Sequence, residues 1–170
     1  MSRLLLLAPV AFLFGCGYHV GGQADLMPRS IRTIAVPSFG NATTRYKLAD
    51  RLPGAITREF LTRTRYQVVP RAEDADAVLR GAVVNYTSYP TVFDQVTGRA
   101  AGAQINVTLQ VTLVERATGK VLFTRPSMDI RERYEISADQ VAYFEESDIA
   151  LDRLSQQVAR SVVSAVVEMF

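Results

Sequence analysis

Over residues 103–115 the chain alternates. Ile105, Val107, Leu109, Val111 and Leu113 are apolar, and Gln104, Asn106, Thr108, Gln110 and Thr112 between them are polar. A period of two places the two sets on opposite faces of a strand, so the pattern predicts one buried face and one wet face. A second period appears earlier. Leu48, Leu52, Ile56 and Phe60 recur every fourth residue, and Ala49, Ala55 and Leu61 widen the stripe. That spacing predicts an amphipathic helix over about 46–64. Pro53 lies inside it and predicts either a kink near Ala49 or the true start of the helix. A third stripe, Leu151, Leu154, Val158, Val162, Ala165 and Met169, predicts a C-terminal helix over about 147–167. Ser137 and Gln140 have capping-box spacing, which allows a start as early as 138.

The remaining runs read as strands. Residues 30–36 are β-prone and end at Pro37; residues 38–44 hold Gly40 and Asn41 and read as a loop. Residues 66–69 form a short strand ended by Pro70. The longest β-prone run is 77–94, where Gly81 and Pro90 predict a bulge or bend and an exposed edge for the far half. Residues 95–102 contain two glycines and read as a hairpin connection. A short turn at 117–119, with Gly119 at the position that wants positive φ, leads into the return strand 121–134, where Pro126 predicts an edge or bulge. The order β-α-β-β-β-β-α gives an α+β fold: two amphipathic helices packed on one face of a mixed, mostly antiparallel sheet. The other sheet face, rich in Asn, Gln and Thr, is wet or meets a polar partner.

Composition narrows the function. The chain has 19 basic and 17 acidic residues, too even a balance for a nucleic-acid binder. Lys47 and Lys120 are the only lysines, and Arg forks suit phosphate and carboxylate. Nucleophilic catalysis lacks parts, because His19 is the only histidine and Cys16 the only cysteine. The acidic clusters Glu73-Asp74-Asp76 and Glu145-Glu146-Asp148 flank element starts and single out no acid–base pair. No metal-ligand spacing or phosphate-binding glycine loop occurs, so no cofactor is expected. Tyr86, Tyr89, Phe93 and Arg99 run into the hairpin tip. They read either as core aromatics on an edge strand with a solvated Arg, or as a groove with rings for acyl chains and Arg for phosphate.

The N-terminus adds an address. Arg3 precedes an apolar run, 4–14, too short to span a bilayer and matched to a secretory leader. Gly15-Cys16 closes it, so residues 1–15 are read as a lipoprotein signal peptide cut before Cys16. This junction resembles the lipobox of bacterial lipoproteins, in which the cysteine thiol and the new amino terminus are acylated. Phe14 departs from that pattern, which prefers a small residue there. Gly17 follows, not the Asp that retains enteric-type lipoproteins at the inner membrane. Residues 16–29 read as a lipidated flexible leash and 30–170 as one domain.

A series of short motifs runs along the chain: Cys16-Gly17-Tyr18-His19, then Ile34-Ala35-Val36-Pro37 with Phe39, Asn41 and Thr43, then Glu59-Phe60 with Arg63. Tyr66-Gln67-Val68-Val69, Ala75-Asp76 with Leu79 and Gly81, and Phe144-Glu145-Glu146-Ser147 follow in that order. Together these make the chain as a whole resemble the LptE family of outer-membrane lipopolysaccharide-assembly lipoproteins. The resemblance implies a non-catalytic plug of an LptD-like outer-membrane β-barrel, lipid-anchored at Cys16 and facing the periplasm or the barrel lumen. It also implies lipopolysaccharide as ligand, help in barrel assembly, and Arg99 near ligand phosphate. The family's second basic contact, in the loop before the last helix, has no counterpart, since residues 137–140 carry no base. The Ile34 to Thr43 stretch also resembles small α+β lipoproteins that activate peptidoglycan synthases or belong to curli systems. These imply a periplasm-facing scaffold or regulator instead.

Overall fold

The protein is seen in a computed structural model that describes residues 27–28, 30–136 and 140–168, with the backbone alone described for 140–147. Cys16, the leader and the leash up to residue 26 lie outside the described residues, as do Ser137–Asp139 of the expected capping box. The elements are β1 (Thr33–Ala35), β2 (Gly40–Asn41), α1 (Tyr46–Arg63), β3 (Gln67–Val69), a 3-10 turn (Ala72–Asp74), β4 (Ala77–Phe93), β5 (Ala100–Glu115), β6 (Val121–Glu135) and α2 (Gln140–Glu168).

One mixed sheet runs β3-β1-β4-β5-β6, with β2 also on β4. β4, β5 and β6 form a long antiparallel meander, while β1, β2 and β3 pair in parallel. Pro37 ends β1 as expected, but the loop expected over 38–44 contains β2. Gly40 and Asn41 return to the same edge of β4, opposite Ala82 and Val83.

The alternation in β5 holds: Ile105, Val107, Leu109, Val111 and Leu113 are all buried against the helix layer. In α1, Leu48, Leu52, Ile56 and Phe60 are fully buried, each side chain contributing about 1.5–3 kcal/mol. Leu61 does not widen that stripe. One residue beyond Phe60 it has turned 100° around the axis, and it is 57% exposed. Pro53 does not start the helix either; α1 runs through it from Tyr46 and forgoes one backbone bond there. In α2, Leu154, Val158 and Val162 are fully buried.

The helices are parallel to each other. Lys47 and Arg51 near the start of α1 meet Asp148 at 3.3 Å each, Arg51 meets Asp152 at 3.4 Å, and Arg63 at the far end donates to Ser164 Oγ at 3.0 Å.

Glycines mark two close approaches. The bulge expected at Gly81 falls instead at Val84, where the register shifts between Val83 and Asn85. Gly81 makes room for the buried Phe39 ring, since a Cβ there would stand 2.1 Å from Phe39 Cε1. The turn glycine Gly119 has φ +71°, as its position demanded. Pro126 lies in a β6 bulge, where Pro126 and Ser127 together oppose Gln110. The domain also begins earlier than residue 30: Met27 is 3% exposed and packs into the core.

Candidate functional site

The register of the meander decides which side chains share the uncovered face. Leu79 pairs with Leu113 and Val107 with Ile130 on the helix side. Pairs one residue out of phase face away from the helices: Arg80 with Thr112, Thr87 with Asn106, Tyr89 with Gln104, and Gln104 with Arg133. These pairs form hydrogen-bonded rows. Gln104 Nε2 donates to Tyr89 Oη at 2.8 Å and to Asn106 Oδ1 at 2.8 Å, and Arg133 Nε donates to Gln104 Oε1 at 3.2 Å. Thr108 Oγ1 donates to Asp129 Oδ1 at 2.6 Å. Gln104 is only 7% exposed, on a face that no described element covers. A satisfied cross-strand network of this kind is stiff and presents fixed donors and acceptors. Alternation exposed the polarity of this face, but the hub role of Gln104 depends on residues 15 and 29 positions away.

The same register separates the aromatics. Tyr86 pairs with Val107 and packs against the core, while Tyr89 pairs with Gln104 on the opposite face. Positions three apart on a strand point opposite ways, so Tyr86 and Tyr89 do not line a common groove. Phe93 is 57% exposed at the end of β4, and Val96 in the loop is 93% exposed.

Arg99 closes that loop. Its carbonyl accepts from Asp94 N at 2.8 Å, next to Gly98 with φ +68°. Asp94 Oδ1 accepts from the Val96 and Thr97 amides and from Thr97 Oγ1 at 3.1, 2.6 and 2.8 Å. The amide of Thr97, then its hydroxyl, holds the Asp94 carboxyl below the usual range. The Arg99 side chain is exposed and forms no ion pair or hydrogen bond with another described residue. Beside the hairpin a cleft of about 910 Å³ is lined by Val92, Gly102, Tyr134, Ile149, Arg133 and Arg153. Arg153 is held by Glu132 at 3.2 Å.

The carboxylates read as structural. Asp76 Oδ2 accepts from the backbone amides of Arg32 and Thr33 at 2.8 and 2.9 Å, and these two bonds, Arg32's first, lower its pKa. A hydrogen bond from Lys47 lowers that of Asp148. A general acid needs the opposite shift. Among the described residues no group of three or more His, Cys, Asp or Glu is placed to hold a metal.

The family model for LptE, described as lipopolysaccharide-assembly, matches residues 31–166. The chain belongs to the LptE family. The match takes in every described strand and both helices, except the last two residues of α2. No curated protein matches the chain at a significant level. Solved structures share the fold at low identity. Lipoprotein B from Nitrosomonas europaea has TM-score 0.58 and 14% identity, over 90% of this chain and 92% of that one. Rare lipoprotein B from Shewanella oneidensis has TM-score 0.51 and 17% identity, over 81% and 95%. PelC of Paraburkholderia phytofirmans, a dodecamer, has TM-score 0.51 and 18% identity, over 81% and 89%. A fold shared so widely does not choose a partner; the family match places the chain in lipopolysaccharide assembly.

Proposed function

We propose that this LptE-family domain is a non-catalytic lipoprotein of the outer membrane that docks into an LptD-like β-barrel and presents Arg99 to lipopolysaccharide phosphate. Acylation at Cys16 holds it to the periplasmic leaflet. Several acyl chains give a stable anchor, since each buried methylene contributes about 0.8 kcal/mol. The observation that carries this reading is the uncovered polar face of the meander. It is three strands wide, hydrogen-bonded within itself and, among the described residues, free of any covering element. Such a face suits a polar, water-lined barrel wall better than a lipid surface. At its end, exposed Phe93 and Val96 flank the Arg99 loop, which fits an amphipathic anion: acyl chains on apolar walls, phosphate on a guanidinium. The domain would hold the ligand and help the barrel form, with no bond made or broken.

Affinity purification of the detergent-solubilised chain from native outer membranes tests the reading. A large β-barrel recovered in about equal amount supports it. Peptidoglycan enzymes, or no partner for a folded domain, would favour the envelope scaffold instead.

A further inference from the structure

We propose that the end of the domain from which the chain runs back toward Cys16 carries a phosphate site for the headgroup of a phospholipid in the anchoring leaflet, with Arg32 as its principal ligand. This rests on the proposed acylation of Cys16. A cavity of about 840 Å³ opens at that end, lined by Met27, Pro28, Arg32, Arg65, Tyr66 and Gln67. Its volume lies in the range of small-molecule sites. The two acids on its wall are already engaged. Asp76 accepts from the backbone amides of Arg32 and Thr33, not from the Arg32 guanidinium, and Asp74 is bound to Arg71 at 2.7 Å. The Arg32 side chain is exposed and makes no ion pair or hydrogen bond with another described residue. A guanidinium in this state suits a phosphate oxygen pair.

Chain length bounds how far this cavity can lie from the anchoring leaflet. Met27 is buried in the core beside the cavity, and Cys16 lies eleven residues upstream (27 minus 16). Fully extended, that stretch reaches about 40 Å at most. The opposite end of the domain is the Val96 loop, beyond the 17 residues of β4, about 55 Å away. A tether of this reach keeps headgroups at high effective concentration around Arg32, so even a weak site fills. Filling it turns the Arg32 end to the bilayer surface and the Arg99 end away from the anchor.

The chain contains no tryptophan, so one introduced indole is a clean reporter. Gln67 and Val96 are both exposed, at the two ends. The acylated full chain carrying Gln67→Trp or Val96→Trp is reconstituted in vesicles of zwitterionic and anionic phospholipid brominated near the headgroup. The expected result is at least about twofold stronger quenching at position 67 than at 96, abolished by added Arg32→Glu or by high salt. Equal quenching at both positions, or quenching that survives Arg32→Glu in a chain whose mass shows acyl groups on Cys16, would overturn the site alone. A mass without acyl groups would overturn the anchor and the inference with it.

Discussion

Asp76 and Asp94 stand at the two ends of β4 and use the same chemistry, a carboxylate accepting backbone amides. Asp76 reaches across 43 and 44 residues to fasten β1, and its own amide returns to Thr33. Arg116 then donates to the carbonyls of Ala75 and Asp76, bringing in the β5–β6 turn. Asp94 reaches only to Val96 and Thr97 in its own loop. One end is therefore a knot of distant segments beneath two helices. The other is a self-contained hairpin that shapes itself and leaves its surface free. The first end fastens the fold, and the second is the one proposed to meet lipopolysaccharide.

Substitutions can break that division of labour. The largest loss should follow Phe60→Ala, which empties a fully buried site beneath α1 and should cost about 3–5 kcal/mol in urea unfolding. Gly81→Val comes next, because any Cβ there collides with the Phe39 ring; overpacking of this kind costs about 1–3 kcal/mol. Asp76→Ala strands the Arg32 and Thr33 amides at the start of β1 and should cost about 1 kcal/mol, little more because the Arg32 amide is exposed and water can replace the carboxylate there. Its pKa is lowered in the folded protein, so its contribution is complete above the unfolded value near about 4 and fades as pH falls through the folded value. Unfolding midpoints between neutral and acid pH should therefore fall less steeply in Asp76→Ala than in the wild type.

The hairpin end should behave in the opposite way. Arg99→Asp should leave the unfolding midpoint unchanged and weaken lipopolysaccharide binding about tenfold, as loss of a charge-assisted contact predicts. Unchanged affinity would remove Arg99 from the site. Leu61→Lys, on the outer side of α1, should change stability by under about 0.5 kcal/mol.

Much of this was legible in the sequence, for definite reasons. The period of two in β5 and of four in α1 is a direct record of which side is buried, so Leu109 and Phe60 announce their places. Gly119 and Pro126 state backbone constraints that are local. What escaped detection depends on distant pairing. Two residues, Gly40 and Asn41, carry no periodicity, and their strand exists because β4 offers an edge. Gly81 shows only the absence of a side chain; that Phe39 fills the space depends on the fold. Tyr86 and Tyr89 look like neighbours until register puts them on opposite faces. The Gln104 hub is a tertiary fact, invisible before β4 and β6 flank β5.

The central claim, that the uncovered face of the meander meets the barrel, can be tested most directly by site-specific photocrosslinking in native outer membranes. A photoreactive side chain would replace Thr87, Asn106 or Arg131 on that face, or Leu61 on the outer side of α1. The account predicts adducts with one large β-barrel from 87, 106 and 131 and none from 61. Adducts from 61 alone, or no barrel adduct from the open face of a folded and acylated chain, would contradict it.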